Sequence, residues 1–238
     1  MTNQEFSNEF DILYNNISSN QAPGLDEYEK SVFLTKAQDE IVKNYFNPKG
    51  NKYQEGFDGN EKRQIDFSMI TKTKSYTTFS ASTFDGRINN KSVNLETDIM
   101  MLINEFADVT RGGNTVRLSV IPLNYREYTR LMSKPYKRPL KFQAWRILDN
   151  NSGARNRAEV IIGPNDVLTE YTIRYIKRPR AIILSDLEGV TLDGKNTEQT
   201  CELDPILHQE ILQRAVELAK AAYAGDLNSN VELGKRSE

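Results

Sequence analysis

The hydrophobic pattern of this 238-residue chain changes period twice, and that change restricts the fold more than its composition does. Apolar residues recur at helical spacing at both ends, while the middle alternates with period two and is rich in β-branched residues. The last helical segment carries the clearest signals. Asp204 can cap the first free amides, Pro205 sits where a missing N–H costs nothing, and Gly225 suits a left-handed helix end. Between them Leu207, Ile211, Ala215, Leu218, Ala219 and Ala222 form one apolar stripe. The small residues of its second half imply close approach to another helix or chain. Glu210 and Arg214 are spaced as a favourable i,i+4 pair on the opposite face.

The N-terminal region reads as two helices. Thr2 and Glu5 form a capping box ahead of Phe6, Phe10, Leu13, Tyr14 and Ile17. Asp26 and Glu29 repeat the device ahead of Phe33, Leu34, Ala37, Ile41 and Tyr45, and Asn47-Pro48-Lys49-Gly50 stops that helix. Pro23-Gly24 marks the turn between them, short enough for an antiparallel pair. A weaker third helix is expected over Glu61–Ile70, with Ile65, Met69 and Ile70 facing inward. Residues 71–95 are rich in Thr, Ser and Asn and suggest short irregular strands or a long loop.

Five strands are expected next, over Met100–Val109, Thr115–Pro122, Leu140–Leu148, Ala158–Gly163 and Leu168–Arg178. A short helix capped by Asn124 separates the second from the third. Asn150-Asn151-Ser152-Gly153 and Gly163-Pro164-Asn165-Asp166 read as turns, which predicts that the last three strands form a meander. Ala181–Leu184 is expected to extend the last strand briefly, before a loop over Asp186–Thr200. The fold class that follows is α+β: N- and C-terminal helices forming a small bundle, with a mostly antiparallel sheet inserted between them. Clustered strands argue against alternating βαβ units. In boundaries, residues 1–70 with 203–225 form the bundle, 71–202 the β-rich region and 226–238 a flexible C-terminal arm.

Composition excludes several classes of function. There is no run of about 20 apolar residues to span a membrane, and the first residues lack the basic and apolar regions of a signal peptide. The single cysteine, Cys201, excludes an internal disulfide and suits a reducing compartment. With one histidine, His208, no usual zinc constellation exists and no cofactor is implied. His208 lies in the first turn of the terminal helix and is expected to be an exposed surface histidine. Cys201 precedes it by seven residues, but no third residue orients such a pair, so both read as non-catalytic. Arg111-Gly112-Gly113-Asn114-Thr115 lacks the GxxxxGK[ST] pattern of a phosphate loop and reads as a hairpin turn. Asp98, Glu105 and Asp108 could hold a hard cation, though solvated strand charges are the commoner case.

Charge is distributed unevenly. Residues 1–119 hold 13 basic and 17 acidic residues, 126–180 hold 13 and 5, and 181–238 hold 5 and 11. Arg126, Arg130, Lys134, Lys137, Arg138, Lys141 and Arg146 fall within 21 residues, interleaved with Tyr125, Tyr128, Tyr136, Phe142 and Trp145. Such a segment could stack and neutralise a single strand of nucleic acid. Phe142 and Trp145 lie on opposite faces of one strand, however, which assigns one of them to the core. A basic surface meeting an acidic surface of a neighbouring copy, or facing passing DNA, is the preferred reading. Arg126, Arg130, Lys134, Lys137 and Arg138 are its candidate residues. A nucleic-acid-binding module using residues 125–146 is the alternative.

Several phrases of the chain resemble a known family. Residues 25–42 (Leu25-Asp26-Glu27-Tyr28 to Ile41-Val42) and Leu203–Tyr223 are similar to the opening and closing helices of head-to-tail connector (adaptor ring) proteins of tailed bacteriophages, particularly those of crAss-like podoviruses. Ile121-Pro122-Leu123-Asn124-Tyr125-Arg126-Glu127-Tyr128, Lys134-Pro135-Tyr136-Lys137-Arg138-Pro139 and Tyr175-Ile176-Lys177-Arg178-Pro179 resemble them in wording and order. The resemblance implies a non-enzymatic virion protein, with a ring of about twelve copies docking under the portal and the next neck ring or the tail attaching below. Double-stranded DNA would pass non-specifically through its lumen. It implies assembly in the host bacterial cytoplasm and a final place at the head–tail junction. By position, the arm that would reach the portal is carried by Asp226, Leu227, Val231, Leu233, Lys235 and Arg236. The large β middle departs from the small, mainly helical adaptors.

Overall fold

The computed structural model describes residues 1–15, 24–46, 61–81, 90–134, 139–149 and 157–224. These fall into two compact units: residues 1–70 with 178–238, and Thr71–Lys177. The second unit is thus inserted in the first along the chain. The fold is mixed α+β, with five α-helices and one mostly antiparallel sheet among the described residues.

The first unit contains α1 (Asn3–Asn15), α2 (Glu27–Phe46), α3 (Glu61–Asp66) and α5 (Pro205–Ala224). Both capping boxes form. Thr2 and Glu5 exchange backbone-to-side-chain bonds of 2.8 and 3.3 Å, as Asp26 and Glu29 do at 3.2 and 2.7 Å. Asp204 accepts from the amide of Ile206 at the start of α5. Phe6, Phe10 and Tyr14 of α1 are buried, as are Leu34, Ala37 and Ile41 of α2 and Leu207, Ile211, Ala215 and Ala219 of α5. Contacts tie α5 to the other two helices. The Phe6 and His208 rings lie 5.2 Å apart, Lys220 Nζ donates to Leu13 O at 2.9 Å, and Arg214 Nε donates to Glu40 at 2.7 Å.

Four readings of this unit are corrected. His208 is only 5% exposed, because the first turn of α5 lies against Phe6 and Met1 rather than in water. Arg214 bonds Glu40 and Glu217, while Glu210 accepts from Tyr45; tertiary partners outcompete the local i,i+4 pair. The third helix ends at Asp66 and gives way to a 3-10 turn at Ser68–Ile70. That tightening turns Phe67 and Ile70 inward and leaves Ile65 and Met69 exposed. Ala181–Leu184 does not continue the last strand. Pro179 interrupts the ladder, and the segment docks on α1 and α2 through buried and half-buried polar side chains. Gln38 donates to Arg180 O at 2.7 Å, Thr35 accepts from Ile182 N at 3.1 Å, Ser31 accepts from Leu184 N at 3.1 Å, and Asn3 donates to Ile183 O at 3.0 Å. Only an isolated bridge, Ile183 to Gln199, is strand-like.

The second unit contains β1 (Thr71–Tyr76), β2 (Ser80–Ala81), β3 (Lys91–Asn94), β4 (Ile99–Arg111), β5 (Asn114–Pro122), α4 (Tyr125–Met132), β6 (Gln143–Asp149), β7 (Arg157–Ile161) and β8 (Val167–Lys177). Their order in the sheet is β1-β8-β4-β5-β6-β7-β3-β2. β6 and β7 pair, but β8 lies between β1 and β4, so the last three strands do not form a meander. β5 and β6 run parallel, joined across by α4, so one βαβ unit interrupts the antiparallel pattern.

The ends of this sheet lie close together. β1 and β2 are at opposite ends of the strand order, yet only Thr77, Thr78 and Phe79 separate them. That link spans at most about 15 Å, whereas a flat sheet of this strand number would set its edges about 34 Å apart. The sheet therefore curls. Its concave side holds one apolar cluster drawn from β3 to β8, including Val93, Ala107, Leu118, Ala144, Val160 and Tyr171, with Tyr76 and Phe79 packed against it. The convex side is covered locally by α4, over Tyr128, Trp145, Ile147 and Ile161.

Candidate assembly and DNA-facing surface

α4 displays the basic residues because its other side is needed for packing. Asn124 Oδ1 accepts from Glu127 N at 2.8 Å and starts the helix. Tyr128 is buried, and Leu131 and Met132 pack against the same cluster. The face left to solvent carries Arg126 and Arg130, followed by exposed Lys134. Arg130 has only a loose 3.9 Å contact with Glu127, so this face keeps most of its positive charge. Lys137 and Arg138 lie outside the described residues.

The remaining members of the basic run part company with this face. Lys141 is exposed, its Nζ 5.6 Å from the Phe142 ring centroid. Arg146 turns to the concave side. Its Nε and Nη2 donate to Glu105 at 3.0 and 2.5 Å, and Tyr171 OH donates to the same carboxylate at 2.6 Å. All three groups are buried. Burial and the Glu105 charge push the Tyr171 phenol well above its ordinary value, which holds it as a neutral donor. Glu105 is therefore an interior ion-pair partner and not a solvated strand charge. Asp108 forms a two-pronged pair with Arg117, 2.8 Å at each contact, and that guanidinium holds its carboxyl below the usual range. Tyr128 and Trp145 are also core residues, which removes them as stacking platforms for a nucleic-acid strand.

The Gly-rich turn is the β4–β5 hairpin. Arg111 pairs with Asn114, and Gly112 and Gly113 have φ of 57° and 85°, the left-handed pair that a tight two-residue turn requires. Arg111 holds the turn in place. It bonds both oxygens of Asp166 at 2.6 Å and donates to Lys141 O at 2.8 Å. Its guanidinium is thereby committed to structure.

Cys201 and His208 have separate environments. Burial pushes the Cys201 thiol up to about 11, opposite to what a nucleophile requires, and its Sγ donates to Gln38 Oε1 at 3.3 Å. His208 contacts Leu203 O at 3.1 Å through Nε2 and the Met1 amino group at 2.7 Å through Nδ1. Burial lowers its pKa, and the amino group adds to that effect. No group of three or more metal-ligating side chains occurs among the described residues, and no helix there is long and apolar enough to cross a membrane. The proposed arm residues Asp226, Leu227, Val231, Leu233, Lys235 and Arg236 lie outside the described residues. The side chains that sequence reasoning missed are Asn3, Ser31 and Gln38, polar residues on helices whose spacing alone could have placed them beside the inward-facing stripes.

Side chains committed to packing and to charged or apolar faces make up what the described structure displays, as in a building block of an assembly. Residues 1–231 match the family described as phage tail ring protein 3/4. The chain is 53% identical over 245 aligned residues, covering all of both chains, to "Ring protein 4/5" of Bacteroides phage crAss001. It is 35% identical over 226 residues, 92% of this chain and 95% of the relative, to "Ring protein 3" of the same phage. The chain belongs to the phage tail ring protein family, and the resemblance to ring proteins of crAss-like phages is borne out over nearly its whole length. It is a structural ring protein of a bacteriophage, and its relatives' names are those of structural components rather than enzymes.

Proposed function

We propose that this chain forms a closed ring of about twelve copies in the virion neck, linking the capsid portal to the tail and passing genomic DNA through its lumen. Full-length membership of the ring protein family is the observation that carries this reading. In it, α1, α2 and α5 form the helical bundle of each subunit. The α4 face with Arg126, Arg130 and Lys134 borders the DNA path, and Lys137 and Arg138 follow it in the sequence. These hydrated side-chain cations would meet phosphates without reading base sequence, a contact that weakens as salt rises. Residues 226–238 are the arm that docks on the portal, and assembly takes place in the bacterial cytoplasm before the tail is added.

Electron microscopy of the purified chain, alone and with the portal protein of the same phage, tests the reading. Closed rings, free or seated on the portal, are expected. Monomers in both conditions, with DNA binding that falls steeply with salt, would overturn it in favour of a nucleic-acid-binding module. Deleting Leu227–Glu238 is expected to leave the fold intact and weaken portal docking; unchanged docking removes the arm from the contact.

A further inference from the structure

Two exposed apolar corners, one in each unit, are unlike each other in charge. In the sheet unit, Leu140, Phe142 and Val167 surround the Arg111 anchor. Arg111 bonds Asp166, the residue before Val167, and Lys141 O, between Leu140 and Phe142. In the helical unit, Ile65 and Met69 flank the Asp66-Phe67 pair, and Ile206 stands in the first turn of α5. Phe67 meets Tyr45 edge-on at 5.2 Å, and Tyr45 OH donates to Glu210 at 3.0 Å, which ties the 3-10 turn to the start of α5. The six apolar side chains are 56% to 67% exposed. Single exposed apolar residues need no explanation, but clusters rimmed by charge mark interaction surfaces. Lys141 rims the first corner and makes no ion pair among the described residues. Asp204 and Glu210 rim the second around Ile206.

A ring needs contacts of this kind. Head-to-tail closure joins two different patches of one subunit, whereas a self-complementary patch stops at a dimer. We propose that the corner of Leu140, Phe142 and Val167 on one copy seats against the corner of Ile65, Met69 and Ile206 on the next, with Lys141 facing Asp204 and Glu210. This rests on the ring reading and specifies the interface that closes the ring.

The test uses full-length chain in whichever condition, alone or with portal protein, assembles the wild type. Phe142→Asp and Ile206→Asp each alter one exposed side chain. Each is expected to keep the wild-type circular dichroism and to raise the concentration for half-assembly at least tenfold. Val167→Asp and Met69→Asp are the second variants should either first choice fail to fold. Each variant keeps the patch that the other lacks, so an equimolar mixture of the two is expected to give 1:1 dimers, seen by light scattering after gel filtration, and no rings. Wild-type rings that persist in both variants overturn the interface and leave the ring reading standing. A mixture that yields no dimer overturns the head-to-tail pairing. Wild type that assembles in neither condition overturns the ring reading and this interface with it.

Discussion

One charge centre in each unit shows opposite ways of holding a buried cation. In the helical unit, Lys30 is 4% exposed at its side chain, but its partners Asp11 and Glu27 are 46% and 42% exposed and remain hydrated. In the sheet unit, Arg146, Glu105 and Tyr171 are all buried, and the carboxylate of Glu105 is bonded by the other two. The first arrangement is a lysine tucked under a wet surface, so losing it leaves carboxylates that water can serve. The second is closed, and removing either charge strands the other in an apolar interior. Helices permit the first because long side chains at their margins reach water. A curled sheet that turns one face wholly inward does not.

That difference can be broken from either side. Arg146→Met is expected to cost about 3–5 kcal/mol in urea unfolding, because it strands Glu105. Adding Glu105→Gln, which keeps an acceptor for Tyr171, should restore a large part of that loss. Lys30→Met is expected to cost about 1 kcal/mol or less, and a cost matching that of Arg146→Met would end the distinction. Gly113→Ala places a side chain at a left-handed φ and should cost about 1 kcal/mol without altering the sheet's circular dichroism.

The smallest effect expected depends on pH. His208 has its folded pKa lowered by burial, so the unfolded chain binds its proton more readily. Stability from this group is complete above the ordinary histidine value of about 6.5 and declines as pH falls below it. His208→Gln should flatten that part of the stability curve, read from urea midpoints between about pH 5 and 7.5.

What the sequence disclosed follows from how local the cause is. The capping boxes at Thr2–Glu5 and Asp26–Glu29, the Asn124 cap and the Gly112-Gly113 turn were legible, because each is decided within four residues. Four of the five expected strands lie within two residues of their observed bounds; the one expected over Leu140–Leu148 begins at Gln143, with the side chains of Leu140 and Phe142 exposed ahead of it. Strand order was not legible. Nothing in Thr71–Tyr76 announces that it pairs with β8, or that β8 leaves its sequence neighbour β7 for β4. His208 was misread because position in a first turn says nothing about what packs over it. The basic run shows the same limit: Arg126 and Arg146 look alike in sequence, yet the packing of α4 leaves one in solvent and the inward face of the sheet takes in the other.

The insertion of one unit within the other also sets a timetable for synthesis. β1 finds its partner β8 about a hundred residues later, and Tyr45 finds Glu210 after 165. At translation rates of about 5–20 residues per second, a nascent helical unit waits roughly ten to thirty seconds for α5. Whatever docks where Tyr45, Phe67 and α5 meet must wait as well, so that surface matures only once α5 has been synthesised.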